Sequence, residues 1–570
     1  MTLTDTRAGA TLRARLALDP RGLALLRAGL GLLFAIDAAL RLCAAGALYT
    51  DAGLLPRADA VDLQGPLQWS LHLANGSLAF ALAMGVLQLL AALVLAVGWR
   101  SRVAGALLWV LVVSAFARHP AVVGASDLLM LSVASLGLLM PWNRRWSVDG
   151  ALAPETHEDA AGSWPDLALR MFAALLPAFL ALATVDAAGG LAGLLASEHA
   201  NALGHAWAAR LPGSLGVLET ALRGMAVLIV PLALWPSTWA HRAAAALYAS
   251  LALLALLLLH AGALPWLALL CAGLLVDGAS WDRLRGAADQ PELRLHYDRN
   301  TPGAAGLARL LDVFLGLPRT QVGPAQDNAR AARLLDSGPL LVVIDRDEQA
   351  HLDAAGIVVL LRRSPLLAPL RPLLAAGLGS ALAAAVLALR RVGVCAARIG
   401  VDPVRACRCA GVASVTALAL FALLCGSNAA AAGLLPRAMG RVVGVPLQAI
   451  GLDRAWLDAL PSIDGARHWI TLVGERVDGG EVDATDARLR AADYASRPLP
   501  WFAGPHARAF AATLAQPGAS AGVRVALARH LCEEHAGTLA RVRVTSMVRE
   551  AGAAIAEQRV LLRYECGPDE

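Results

Sequence analysis

Apolar stretches long enough to cross a bilayer constrain this chain more than any other feature. A helix rises about 1.5 Å per residue, so roughly 17–25 apolar residues match a hydrocarbon layer about 30 Å thick. Runs of this kind lie near 23–45, 77–98, 103–118, 121–141, 165–187, 224–239, 243–260 and 262–279, with a ninth at 411–429. No Asp, Glu or Arg occurs between Ala243 and Val276, which is too long for one span. The break at His260-Ala-Gly-Ala-Leu-Pro265 therefore reads as a tight hairpin. Composition agrees, since 57% of the 570 residues are hydrophobic and 16% charged, where a soluble domain carries about 25% charged residues. The expected fold class is a polytopic α-helical membrane bundle of about nine spans, with a small α/β insert and a C-terminal α/β domain.

Arginine placement orients that bundle. All 49 basic residues are arginine, so no side-chain amine is available as a Schiff-base former or deprotonated base. The net charge of +5 reads as membrane topology, and nucleic acid is not an expected partner. Residues 1–22 carry Arg7, Arg13, Arg15 and Arg21 without an apolar signal core, which predicts a cytoplasmic segment followed by a signal-anchor span. Arg100, Arg102, Arg144, Arg145, Arg242, Arg283 and Arg285 fall on the same side, as do Arg390, Arg391, Arg398, Arg405 and Arg408. The loop at 46–76 holds only Arg57 against Asp51, Asp59 and Asp62, as an outer loop should. A multi-pass protein of a cell inner membrane is expected, with residues 430–570 extracytoplasmic. An additional span at 372–389 would return that tail to the cytoplasm.

The units are then 1–22, a bundle of eight spans at 23–282, an insert at 286–395, the ninth span at 411–429 and the tail at 430–570. In the insert, Leu293-Arg-Leu-His-Tyr297 and Leu340-Leu-Val-Val-Ile344 read as strands, with helices at 307–315 and 354–361. The tail offers strands at 469–473 and 540–545, and a turn at Asp478-Gly479-Gly480. None of the eight cysteines forms a CxxC pair or a zinc-like spacing. Cys532 and Cys566 both fall in the tail, where two free thiols are the commoner outcome and a disulfide requires an extracytoplasmic tail.

Several pieces in order resemble the HTTM family, the membrane domain shared with vitamin K-dependent γ-carboxylases. They are Asp19-Pro20-Arg21 with Leu26-Arg27, then Asp37 and Arg41, Leu48-Tyr-Thr-Asp-Ala-Gly-Leu-Leu-Pro56 and Trp69-Ser-Leu-His72. Gly98-Trp-Arg-Ser-Arg102, Arg118-His119-Pro120, Asp127 and Trp146-Ser-Val-Asp149 complete the set. The insert resembles a DCC-type thiol-disulfide oxidoreductase module, which implies a thioredoxin-like fold. The family's Tyr-Asp-Gly-x-Cys-x-x-Cys motif here reads Tyr297-Asp298-Arg299-Asn300-Thr301-Pro302-Gly303-Ala304, so Thr301 and Ala304 replace both cysteines and no thiolate can attack a disulfide. The tail is similar to the extracytoplasmic region of bacterial relatives through Gly451-Leu-Asp-Arg-Ala-Trp456, Trp469, Gly474 and Asp478–Asp483. The resemblance places the carboxylase lysine base at about Thr184–Gly190, where this chain has Val185-Asp186-Ala187. Lysine-dependent vitamin K carboxylation is therefore not expected.

Ionisable groups inside spans cost roughly 2.5–3.5 kcal/mol each and need partners or a water-filled cavity. Asp37 and Arg41, four apart on one helix, can pair at the interface or line an outward-facing cavity with Arg27, Arg118 and Asp127. Arg27 lies about 21 Å from Arg41 along the helix, so one small site cannot hold both. Arg118 and Asp127 are the expected polar pair of the core, and His72 and His119 compete for an acid–base role against plain interfacial positions. Asp186 is the remaining intramembrane candidate. Two functions follow. One is an enzyme that modifies an exported peptide or uses a lipid-soluble cofactor, with His72, Arg118 and Asp127 at its site. The other is a non-catalytic scaffold or maturation factor that binds an extracytoplasmic partner.

Overall fold

The structure, a computed structural model, describes residues from 17 to 567, with its longest gaps at 153–162, 184–189, 286–292, 392–402 and 461–466 and several shorter ones. Seven described helices are long and apolar enough to cross a membrane. Six belong to the first part of the chain: α1 (Pro20–Cys43), α2 (Leu78–Val97), α3 (Ser101–Arg118), α5 (Trp164–Ala183), α6 (Leu215–Leu234) and α7 (Thr238–Leu258). Two neighbours are shorter, α4 (Ala125–Gly137) and α8 (Leu264–Leu275). At 13 and 12 residues they fall short of the 17 or so that a perpendicular crossing requires.

Local chemistry sets the helix ends. Asp19 caps α1 by accepting from the Arg21 N–H at 2.8 Å, with Pro20 in the first turn. Ser77 and Ser237 cap α2 and α7 in the same way. The sixth run begins at Leu215 and not near 224, because Glu219 and Arg223 pair one turn apart and let the helix continue through two charges. Helices α1 and α2 approach closely at Gly31, where a Cβ would stand 2.7 Å from the Ala96 nitrogen. One apolar core joins α1 to α8 through residues such as Leu26, Leu30, Phe34, Val112, Leu131 and Phe172.

The two ends of this bundle carry different modules. At one end the Asp149 carboxylate accepts from the Arg100 and Ser101 N–H groups at 2.7 and 2.8 Å, and so caps α3 from the short helix Val148–Leu152. The insert stands at this end. Its sheet comprises β1 (Leu293–Tyr297), β2 (Thr320–Pro324), β3 (Leu341–Ile344) and β4 (Ala350–Leu352) in the order β2-β1-β3-β4. Strand β1 runs parallel to β2 and antiparallel to β3, and β3 is antiparallel to β4. Helices α9 (Ala304–Leu315), α10 (Ala329–Leu335) and α11 (Asp353–Arg363) connect and cover it, and α9 packs against the short helix Val148–Leu152 of the bundle. Helix α12 (Gly379–Arg391) has 13 residues, and Ala383 is buried in the insert's core. The apolar stretch at 372–389 is thus broken at Gly377 (φ +113°) and packs on the insert through a helix shorter than a perpendicular crossing requires.

The chain continues in α13 (Pro403–Ala431), whose residues 411–431 form the seventh long apolar helix, and in α14 (Arg437–Leu447). The tail is a second four-stranded sheet, antiparallel throughout. It comprises β5 (Arg467–Arg476), β6 (Glu481–Asp483), β7 (Leu539–Arg549) and β8 (Glu557–Glu565) in the order β6-β5-β7-β8. Helices α15 (Pro505–Ala515) and α16 (Ala521–Glu534) lie between β6 and β7 in sequence, and a Cys532–Cys566 disulfide ties α16 to the end of β8. The tail's core includes Phe510, Leu527 and Val542, and it is continuous with Ala44, Leu48, Tyr49, Ala121 and Val122 from the bundle's other end.

Candidate functional site

The bundle and tail meet over a buried polar cluster. The α1 helix brings Asp37 and Arg41 to its last two turns, where Arg41 Nε donates to the Asp37 carboxylate at 2.8 Å. Arg41 Nη1 donates to the Tyr49 hydroxyl at 3.2 Å, and Nη2 lies 3.5 Å from Asp127 Oδ2. The guanidinium also sits over the Phe116 ring, 5.0 Å from its centre. From the tail, His506 at the start of α15 places Nε2 3.1 Å from the other Asp37 oxygen. Two carboxylates therefore share one arginine, and a histidine of the tail closes the set. Asp37, Arg41, Asp127 and His506 are all at most 6% exposed.

A span starting at 121 would place Asp127 about two turns into its helix, which the structure does not bear out. Helix α4 begins only at Ala125, because Pro120–Val122 forms a separate 3₁₀ turn, so Asp127 sits in the first turn. There it accepts from the Gly124 N–H at 2.9 Å, at the positive end of the helix dipole. The expected Arg118–Asp127 pair is absent. Arg118, fully buried at the end of α3, donates through Nη2 to the Thr50 carbonyl at 3.4 Å. Its Nε and Nη1 have no hydrogen-bond partner among the described residues, and neither do the two ring nitrogens of His119. His119 packs edge-on against Phe510 of α15, with ring centres 5.9 Å apart.

His72 is held in a 3₁₀ turn of the loop before α2, with Nδ1 2.7 Å from the Ser114 hydroxyl. Its ring stacks at a tilt on Tyr49, with centres 5.1 Å apart. Burial pushes the imidazole down to about 4, helped by the positive charges of Arg118 and Arg41, so the ring is neutral near pH 7. His72, Tyr49 and Arg41 border a narrow cavity with Ala38, Leu42, Ala81, Gly85 and Gln88. That space would hold about one water molecule.

The remaining expected residues separate from this cluster. Arg27 is fully buried near the opposite end of α1, where it donates to the carbonyls of Leu95 and Trp146. It closes the end of α2, and a Cβ on Gly98 (φ +79°) would stand 1.7 Å from its Nη1. The one helix thus carries two arginines with different roles. Asp186 lies outside the described residues. Sequence reasoning missed His506 and Tyr49. Tyr49 belongs to the Leu48–Pro56 stretch already singled out, so it had a signal. His506 had none, since a histidine after Gly504-Pro505 gives no hint of a contact with residue 37.

Searches against protein-family models, curated proteins and solved structures find no match to this chain.

Proposed function

We propose that the chain is a multi-pass inner-membrane protein of the HTTM type that acts on an exported peptide or a lipid-soluble molecule at the tail-covered end of its bundle. It does so without the lysine chemistry of the vitamin K carboxylases. The observation that carries this reading is the polar cluster beside a cavity, built from both the bundle and the tail. Burying Asp37, Arg41, Arg118, His119, Asp127 and His506 together is expensive, and an inert anchor gains nothing from it. In this reading Arg41 and Tyr49 offer donors to an oxygen of the bound molecule. With Nδ1 on Ser114, the Nε2 of neutral His72 is the ring nitrogen left to hydrogen-bond a molecule at the cavity.

Several observations support the accompanying topology, with the N-terminus and insert cytoplasmic and the tail outside. Exposed Trp99, Trp146, Trp235 and Trp239 occur at the helix ends beside Arg100, Arg144, Arg145 and Arg242, as expected of a cytoplasmic interface. The tail carries the disulfide, which suits an oxidising compartment. The insert's strand order and directions are those expected of a thioredoxin-like fold, which supports reading it as a DCC-like module. Its Thr301 hydroxyl donates to the Asp298 carboxylate where that family would hold a thiol.

The small size of the cavity favours a second reading, a scaffold in which the tail is a fixed platform for a partner. Mass spectrometry of the full chain released from native membranes separates the two. A quinone, lipid or peptide that stays bound, and is lost in folded Tyr49→Phe or His72→Gln variants, is the expected result. A folded chain that retains no such molecule, and instead carries a partner protein, would overturn the first reading. Reporter fusions at residues 300 and 500 test the topology and should report opposite compartments.

A further inference from the structure

After α13, the chain turns at Gly433 (φ +75°) and returns along the same helix as α14. The contacts descend in step. A Cβ on Gly440 would stand 2.9 Å from Ala430, and Val443 reaches Gly426 one turn lower. Leu447 joins the core of the bundle, and the next segment sets Gly451 against Val113 and Leu131 of α3 and α4. Two anchors fix this depth: Trp69 Nε1 donates to the Ala449 carbonyl at 2.8 Å, and the Asn428 side chain accepts from the Leu457 N–H at 3.4 Å. Helix α14 is therefore a half-length helix that dips beside the last apolar span.

Its two faces differ sharply. Gly444 and Leu447 are buried, while Met439, Val442 and Val445 are exposed at 50%, 73% and 49%, together with Leu434 in the preceding turn. The helix's exposed side has no acidic residue of its own, and its charges are Arg437 and Arg441, one turn apart in the half nearest the tail, with the exposed Asp458 of the following segment within electrostatic reach of Arg437. Nearer the other end of α13, Val412 and Val415 are likewise exposed, at 68% and 70%. Apolar side chains at the depth of the span, with arginines above them, fit acyl chains below and phosphates above.

We propose that α14 is a lipid-binding half-helix. Met439, Val442 and Val445 are covered by acyl chains of the tail-side leaflet, and Arg437 and Arg441 hold the headgroup of an anionic phospholipid. This rests on the reading of the chain as membrane-spanning, and the test keeps the two apart. A benzophenone amino acid is placed at position 442, or at position 415 as a control, in the full chain reconstituted in bilayers of phosphatidylethanolamine and phosphatidylglycerol. Illumination is expected to give lipid adducts from both positions. Lipid adducts from 415 with protein adducts or none from 442 would overturn the proposal and leave the membrane reading intact, whereas none from 415 would overturn the membrane reading itself. In native mass spectrometry, Arg437→Gln with Arg441→Gln should lower phosphatidylglycerol retention severalfold and leave phosphatidylethanolamine unchanged. Equal retention of both by the folded variant would overturn the headgroup assignment.

Discussion

The insert and the tail are both four-stranded sheets with helices, yet they relate to the bundle in opposite ways. The insert keeps a core of its own, built from Leu295, Leu307, Val343 and Ile357, and meets the bundle through α9 against the short helix at 148–152. The tail shares its core with the loops it covers, from Leu48 and Tyr49 to Ala121 and Val122, and it supplies His506 to the buried carboxylates. Thr513 Oγ also donates to the Ala121 carbonyl at 3.0 Å, and Arg529 pairs with Asp59. A module with a separate core can change its chemistry without disturbing its neighbour. A module that completes its neighbour's core and charge balance cannot.

The strongest way to break this comparison is at Arg41. Arg41→Met strands Asp37 and Asp127 in a buried site, and removing one member of such a set costs about 3–5 kcal/mol. The expected outcome is a large fall in the thermal midpoint of the detergent-solubilised protein. The tail should become protease-sensitive at the same time, because two carboxylates without their cation then lie buried where it docks. A tail that stays protected would show that its docking depends on apolar contacts alone.

The converse test is in the insert. Leu295 is fully buried in β1, and Leu295→Ala should cost about 2–5 kcal/mol. If the insert is thermodynamically separate, limited proteolysis will cut between 293 and 391 while the tail and bundle remain intact. Loss of protection in both modules would merge what the two cores separate.

The disulfide sharpens the picture within the tail. Cys532→Ser with Cys566→Ser releases a link 34 residues apart in sequence and should destabilise the tail by about 2–4 kcal/mol. Hydrogen exchange is expected to quicken in α16 and β8 and to stay unchanged in the insert's strands.

The legibility of this chain in its sequence divides along the same line. The apolar runs locate α1, α2, α3, α5 and α7 to within a few residues, because length and hydropathy alone decide what lipid can surround. The sixth helix was misplaced, since a paired Glu219 and Arg223 look like an end when read singly. Strands at 293–297 and 341–344 were legible from β-branched and apolar content. Within the site, the Asp37–Arg41 pair follows from i,i+4 spacing, and the cluster's location at the tail-side end follows from the same helix. The Arg118–Asp127 pairing failed because it assumed that neighbours in sequence order meet, whereas Asp127 turns to its own helix end and to Arg41. His506 was invisible because its contact spans more than 460 positions, and only the docking of the tail creates it.

The smallest expected effect concerns pH and bears on whether the loop at 71–73 belongs to the tail's side of the comparison. Burial holds the His72 imidazole at about 4, below the roughly 6.5 of an unfolded chain. Between these values the unfolded chain binds a proton that the folded one does not. Stability is therefore unaffected by this group above about 6.5, declines as pH falls through that value, and reaches its full loss below about 4. Comparing thermal midpoints of the native chain and His72→Gln from pH 7.5 to 4.5 isolates the term. The native protein should lose more stability than the variant across that range. If the two curves run parallel, His72 exchanges protons freely in the folded state, and the cavity that it borders is open to water.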